Sequence, residues 1–167
     1  MYKNALFIGR FQPFHNGHLY ILQKCLELAE RVVILVAKAE AQGEENDPWG
    51  VSDRKRMVCE AIRQIGVEKR VTHIFSCPDY PSDKKWLSEV KKRVGAFDVV
   101  VSNNEWTLGV FRNAGYTVVE SGLHNREELE GVKVRKLMRE GKVQWRERVP
   151  REIVKLFDNN DIEMIRS

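Results

Sequence analysis

The chain alternates short apolar runs rich in β-branched residues with stretches of helical periodicity, and no other feature narrows its possible folds as much. Asn4–Ile8 (NALFI) is a buried strand stopped by Gly9. Leu19, Leu22, Leu26 and Ala29 then recur at three- and four-residue steps and predict an amphipathic helix over roughly 17–30. Val32–Ala37 (VVILVA) is apolar on both faces, as a central parallel strand is. A polar loop over 39–52 precedes a helix from about Ser52, read as its N-cap, to Ile65. Val71–Ser76 is a third strand, 83–94 a helix, Asp98–Val101 a fourth strand, 104–114 a short helix and Tyr116–Val119 a fifth strand. A loop through Asn125 leads to a basic helix from near Gly131, and Pro150 opens a last helix. Strands separated by such helices form βαβ units, so the expected fold is α/β, a parallel sheet with helices on both faces. Ligands of these sheets sit beyond the C-terminal strand ends, which directs attention to the residues just after each strand.

At 167 residues the chain fits a single domain over 1–167 with a sizeable core. The first apolar stretch is too short for a signal peptide or a membrane span, so no membrane is expected. Cys25, Cys59 and Cys77 lie far apart with no CxxC pair; neither a zinc cage nor a disulfide framework is indicated, and a reducing cytoplasm is the expected compartment. His73 and His124 sit in no ligand motif, so no protein-held metal is expected. The net charge of +4 is unevenly placed: residues 1–130 carry 18 basic and 18 acidic side chains, residues 131–167 carry 10 and 6. The tail is therefore a candidate anion-binding surface.

The segment after the first strand, GRFQPFHNGHL (Gly9–Leu19), concentrates the chemistry. Gly9 allows the close backbone approach that a ligand or tight turn needs, and Asn16 is a candidate helix cap. His15 and His18 stand three residues apart at the entry to the helix and can face one direction. A helix N-terminus favours anions, and imidazoles there can donate hydrogen bonds to phosphate oxygens, more strongly as charge develops in a transition state.

GRFQPFHNGHL resembles the HxGH signature of the nucleotidyltransferase superfamily, and its fuller form that of the archaeal-type nicotinamide-mononucleotide adenylyltransferases. ENDPWGVSDR (45–54), Trp86 in KKWLSEV, VSNNEWTLGVF (101–111) and HNREELEGVKVRKLM (124–138) resemble further segments of that family. The resemblance implies a Rossmann-like, nucleotidyltransferase-type fold. It also implies transfer of AMP from ATP to nicotinamide mononucleotide by direct in-line attack, with Mg²⁺ bound to the ATP. Gly9, Arg10, Phe11, His15, His18, Gly131 and Arg135 would then bind ATP, with His15, His18 and Arg135 catalytic. Arg135 and the amides of Gly131–Lys133, at the start of the basic helix, would grip the β- and γ-phosphates together. Trp86 would stack on the acceptor's pyridine ring, beside Asp79, Asp83 and Asn104. A homo-oligomer is implied as well.

The sequence departs from that family in places. Glu130 and Val132 stand where the closing motif has serine and threonine, and Asn103 replaces a glycine. Two hydroxyl donors are thereby missing, and Glu130 would repel phosphate unless it points away or binds Mg²⁺. Other readings remain open at this point: the same reaction on another phosphorylated acceptor, or a catalytically weakened nucleotide-binding regulator. Nucleic-acid binding by the basic tail, with Trp145 interleaved, is disfavoured against a tail engaged in phosphate or subunit contacts.

Overall fold

The computed structural model describes residues 1–122 and 126–165, and for 126–128 the backbone alone. His124 and Asn125 lie outside the described residues. The strands are β1 (Tyr2–Gly9), β2 (Ala29–Ala37), β3 (Val71–Cys77), β4 (Val99–Ser102) and β5 (Thr117–Glu120). The helices are α1 (Asn16–Leu28), α2 (Val51–Ile65), α3 (Asp83–Val94), α4 (Glu105–Asn113), α5 (Arg126–Arg139) and α6 (Arg151–Asp158), with a 3₁₀ segment at Val143–Arg148. All pairings are parallel, in the order β3-β2-β1-β4-β5. This is the α/β sheet that the alternation predicts.

Because side chains alternate across a strand, β1 sends Ala5 and Phe7 to one face and Leu6 and Ile8 to the other. The first face packs on α1, α2, α5 and α6, through residues such as Ile21, Leu22, Met57, Val134 and Phe157. The second packs on α3 and α4, through Trp86, Val90, Val110 and Phe111. The central strands are thus covered on both sides, which is why VVILVA is apolar throughout. The basic tail is part of this core: Trp145, Val149, Ile153, Leu156 and Ile162 are all buried.

Several local expectations are revised. The α1 cap is His15, whose Nδ1 accepts from the Gly17 N–H, while Asn16 is the first helical residue and donates its side-chain amide to the Glu147 carbonyl. Gly50 rather than Ser52 caps α2, and Pro150 precedes α6 as its cap. The helix expected from Gly131 begins at Arg126, so Gly131 lies inside α5. The amides of Gly131–Lys133 therefore do not form a free helix N-terminus for phosphate.

Sheet order reverses at β1, whose neighbours β2 and β4 lead into helices on different faces. A cleft opens at the C-terminal ends of β1 and β4, the switch point where such sheets receive ligands.

Candidate active site

The cleft has a volume of about 280 Å³ and is lined by Ile8–Pro13, His15 and His18 from the β1–α1 turn. Ala37 ends β2 and Lys38 follows it, Asp79 follows β3, and Trp86 comes from α3. Asn104, Trp106 and Thr107 come from the start of α4, and Gly131 and Arg135 from α5. Of the residues singled out from sequence, Gly9, Arg10, Phe11, His15, His18, Asp79, Trp86, Asn104, Gly131 and Arg135 all line this one space. Asp83 stands apart from them: it is exposed, and its Oδ1 accepts from the Trp106 indole N–H at 3.2 Å.

The histidines form a reciprocal capping box at the start of α1. His15 Nδ1 accepts from Gly17 N at 3.1 Å, and His18 Nδ1 accepts from His15 N at 3.2 Å. Their rings stack with centroids 3.8 Å apart. A neutral imidazole that uses Nδ1 as acceptor carries its proton on Nε2, so the cap fixes the same tautomer in both rings. Burial, and secondarily the neighbouring His15, pushes the His18 pKa well below the ordinary 6.5. His18 is therefore neutral at physiological pH, with an Nε2–H donor.

Arg135 is buried and runs from α5 to the β1–α1 turn. Its Nη1 donates to the Gln12 carbonyl at 2.7 Å and its Nη2 to Asn46 Oδ1 at 3.5 Å. Gly131, one helical turn earlier, keeps this path clear: a Cβ there would lie 3.1 Å from Arg135 Nη1 and 4.0 Å from His15 Cδ2. Gly9 also makes room for a neighbour, since a Cβ would meet the Phe11 ring at 2.8 Å. Glu130 is ion-paired with Arg148 at 2.6 Å, so its carboxylate is neutralised by the tail.

The rest of the tail's charge is also largely committed. Arg146 makes a two-point contact with Asp158 at 2.6 and 2.8 Å, Lys155 pairs with Glu152, and Arg139 bonds the Glu45 carbonyl. The cation that the tail contributes to the cleft lining is Arg135.

Several residues that sequence reasoning passed over hold the walls in place. Arg54 is fully buried and donates to the carbonyls of Arg10, Ala37, Lys38 and Ala41, tying together the loops that follow β1 and β2. Gln12 makes a paired contact with the Trp49 backbone, donating to its carbonyl at 2.8 Å and accepting from its N–H at 3.0 Å. Asp47, buried, receives Lys38 at 2.8 Å and lies 3.7 Å from Arg10. Arg54 and Asp47 both fall in the segment ENDPWGVSDR, so the signal was present although no role could be read from it.

On the opposite side, Trp86 is 2% exposed, packed against Trp106 and Phe111, with its indole N–H buried and without a hydrogen-bond partner among the described residues. Asn104 caps α4 through a bond from Thr107 N. Burial, then the neighbouring Glu40, raises the pKa of Asp79. Among the described residues no group of three or more His, Cys, Asp or Glu side chains is arranged to hold a metal ion, and no helix is long and apolar enough to cross a membrane.

The Cytidylyltransferase-like family matches residues 6–155. The nicotinamide-nucleotide adenylyltransferase of Methanosarcina mazei is 36% identical over 157 residues, spanning 92% of this chain and 88% of its own length. That of Pyrobaculum neutrophilum is 34% identical over 155 residues, spanning 93% and 87%. Among solved structures, a bifunctional NMN adenylyltransferase/ADP ribose pyrophosphatase from Francisella tularensis superposes with a TM-score of 0.77 at 21% identity. The match covers 95% of this chain and 50% of that one, so this chain spans about half of that protein. The matched span runs from the middle of β1 into α6 and so takes in the histidine turn, the 45–54 segment and Arg135 together; the chain belongs to the Cytidylyltransferase-like family.

Proposed function

We propose that the protein is a nucleotidyltransferase that joins nicotinamide mononucleotide to the AMP unit of ATP, giving NAD and pyrophosphate. The observation that carries this reading is the stacked histidine pair, with both Nδ1 atoms occupied by backbone donors, sharing one cleft with Arg135. Two neutral imidazoles that can offer only N–H groups are suited to phosphate oxygens and unsuited to nucleophilic attack or metal binding. The names of the relatives support the same reaction.

ATP enters with its triphosphate across the N-terminus of α1. His15 and His18 donate from Nε2 to the oxygens of the α-phosphate, and their bonds strengthen as negative charge grows there. Arg10 and Arg135 hold the β- and γ-phosphates, with Arg135 kept in line by the Gln12 carbonyl. Gly9 and Phe11 line the cleft beneath, and Gly131 leaves room for the arginine. The acceptor lies on the other side, against Asp79, Trp86 and Asn104, with Asp83 at its edge. Its 5′-phosphate oxygen attacks the α-phosphorus opposite the leaving pyrophosphate, so catalysis is positioning plus charge stabilisation. Mg²⁺ would arrive as part of the MgATP substrate and neutralise phosphate charge.

The protein works as one domain over 1–167, as a homo-oligomer in the cytoplasm, on small nucleotides and not on nucleic acid. The pairing of Arg146, Arg148 and Lys155 with tail and α5 carboxylates supports this last point. The experiment is to supply the purified protein with MgATP and a panel of phosphorylated acceptors: nicotinamide, nicotinate and flavin mononucleotides and pantetheine phosphate. NAD formation from the first is expected. Preferential turnover of another acceptor would overturn the choice of acceptor, and release of pyrophosphate with none of them would overturn the reaction.

A further inference from the structure

The two tryptophans on the acceptor side of the cleft differ in how much ring they can offer. Trp86 is 2% exposed and packed against Phe111 and Trp106. It shapes the wall but has little free face to give. Trp106 also lines the cleft and is 48% exposed, a large apolar surface for a soluble protein to leave open beside a ligand site. Its pose is fixed from three directions. The Asn104 cap, with Oδ1 accepting from Thr107 N at 3.0 Å, pins the first turn of α4. Trp86 supports the ring with centroids 4.8 Å apart, and Asp83 Oδ1, from the start of α3, accepts the indole N–H at 3.2 Å. An exposed aromatic held this way loses little further freedom when a ring stacks on it.

We infer that Trp106 is the platform on which the acceptor's ring stacks, and that Asp83 is a positioning residue that holds the indole in place. This rests on the adenylyl-transfer reading and deepens it by naming the acceptor's recognition element. The charge around Trp106 agrees with a pyridinium ring. A carboxylate accepting the indole N–H enriches the ring in electron density, which strengthens its attraction for a cation. Asp79 lines the same cleft with the cations Lys38 and Arg10 close to it, so the carboxylate that acts on the Trp106 ring itself is Asp83. An indole enriched in this way favours a positively charged heteroaromatic over neutral or anionic ones.

The test is steady-state kinetics with MgATP and nicotinamide mononucleotide on the wild type, Trp106→Phe, Trp106→Leu, Asp83→Ala and Asp83→Asn, with a thermal melt on each. Trp106→Leu keeps much of the bulk without the aromatic face. Its acceptor KM is expected to rise by roughly tenfold or more while the KM for ATP stays within about twofold, and Trp106→Phe is expected to recover most of the loss. Asp83→Ala is expected to raise the acceptor KM severalfold, and Asp83→Asn to recover most of that rise, because the amide oxygen still accepts the indole N–H although it lacks the charge. An acceptor KM unchanged in Trp106→Leu, with the wild type turning over, overturns the assignment of Trp106. A loss in Asp83→Ala that Asp83→Asn does not recover, or that falls on kcat, overturns the positioning role. Wild-type protein that makes no NAD overturns the underlying reading instead.

Discussion

Gly131 lies inside α5, where alanine would ordinarily stabilise the helix by roughly 0.5–1 kcal/mol. For a chain of this size that corresponds to a rise in Tm of about 1–4 °C. The structure opposes this with a steric cost placed on one functional group. A Cβ at 131 would lie 3.1 Å from Arg135 Nη1, 3.7 Å from the Gln12 carbonyl oxygen and 4.0 Å from His15 Cδ2. The last two are ordinary contacts; the first obliges the guanidinium to move by a few tenths of an ångström. The end of an arginine side chain can yield cheaply, so the fold should keep most of the helical gain. Yet the displaced group is the one bonded to the Gln12 carbonyl at 2.7 Å and the one we propose holds the triphosphate. A hydrogen bond to a charged group contributes about 1.5–3 kcal/mol. Losing part of it should raise the KM for ATP roughly three- to tenfold. Gly131→Ala is therefore expected to melt at or above the wild-type temperature while binding ATP more weakly and leaving the acceptor KM in place. Calorimetry and initial rates on the same preparation measure both. A variant that is more stable and has an unchanged KM for ATP would refute the assignment of Arg135 to the phosphates, because it would show that the guanidinium can shift without consequence.

The other expectations concern groups whose surroundings are equally explicit. His18→Ala should lower kcat by about 100- to 1000-fold, as loss of a transition-state hydrogen-bond donor does elsewhere; a smaller change in single-turnover rate would remove that role. The same variant tests proton linkage. The folded-state pKa of His18 lies below its unfolded value, so the unfolded chain binds the extra proton and the wild type loses stability as pH falls below about 6.5. Denaturant titrations from pH 7.5 to 5 should show His18→Ala losing less, by up to about 1.4 kcal/mol per pH unit; parallel curves would contradict it. Arg148→Ala should raise the KM for ATP by leaving Glu130 unpaired next to Gly131, and adding Glu130→Gln should reverse most of that rise. No recovery in the double variant would show that the pair acts only on packing. Arg54→Met should cost about 3 kcal/mol or more in urea unfolding, because the carbonyls of Arg10, Ala37, Lys38 and Ala41 lose their buried donor; a cost below 1 kcal/mol would refute that account.

The sheet was legible in the sequence because burial on both faces writes itself into composition: VVILVA leaves no polar side, and the helix that follows NALFI carries its leucines at helical spacing. The histidine pair was legible for a related reason, since its geometry is set by a three-residue separation on one helix. What could not be read depended on tertiary neighbours. Asn16 and His15 are adjacent polar residues, and only the packing of Asn16 toward Glu147 leaves the cap to His15. The helix expected from near Gly131 begins at Arg126, and the reason for a glycine inside it is the arginine that crosses over it. Gly9, read as allowing the close approach of a ligand or a tight turn, lines the cleft and also leaves room for the Phe11 ring. Whether the Glu130 carboxylate repels phosphate, points away or binds Mg²⁺ depended on its partner, Arg148, which lies 18 residues away. The relative exposure of Trp86 and Trp106 follows from how α3 and α4 pack, which no local pattern encodes.

The central claim is that the two histidines present protons, not lone pairs, to the α-phosphate, so that AMP passes directly from ATP to its acceptor. The stereochemical course at phosphorus tests this most directly. With a single diastereomer of adenosine 5′-O-(1-thiotriphosphate) and nicotinamide mononucleotide, one in-line displacement gives a dinucleotide with inverted configuration at the sulfur-bearing phosphorus. Inversion is the predicted result. Retention would require two displacements and an adenylylated protein group, and would contradict the account.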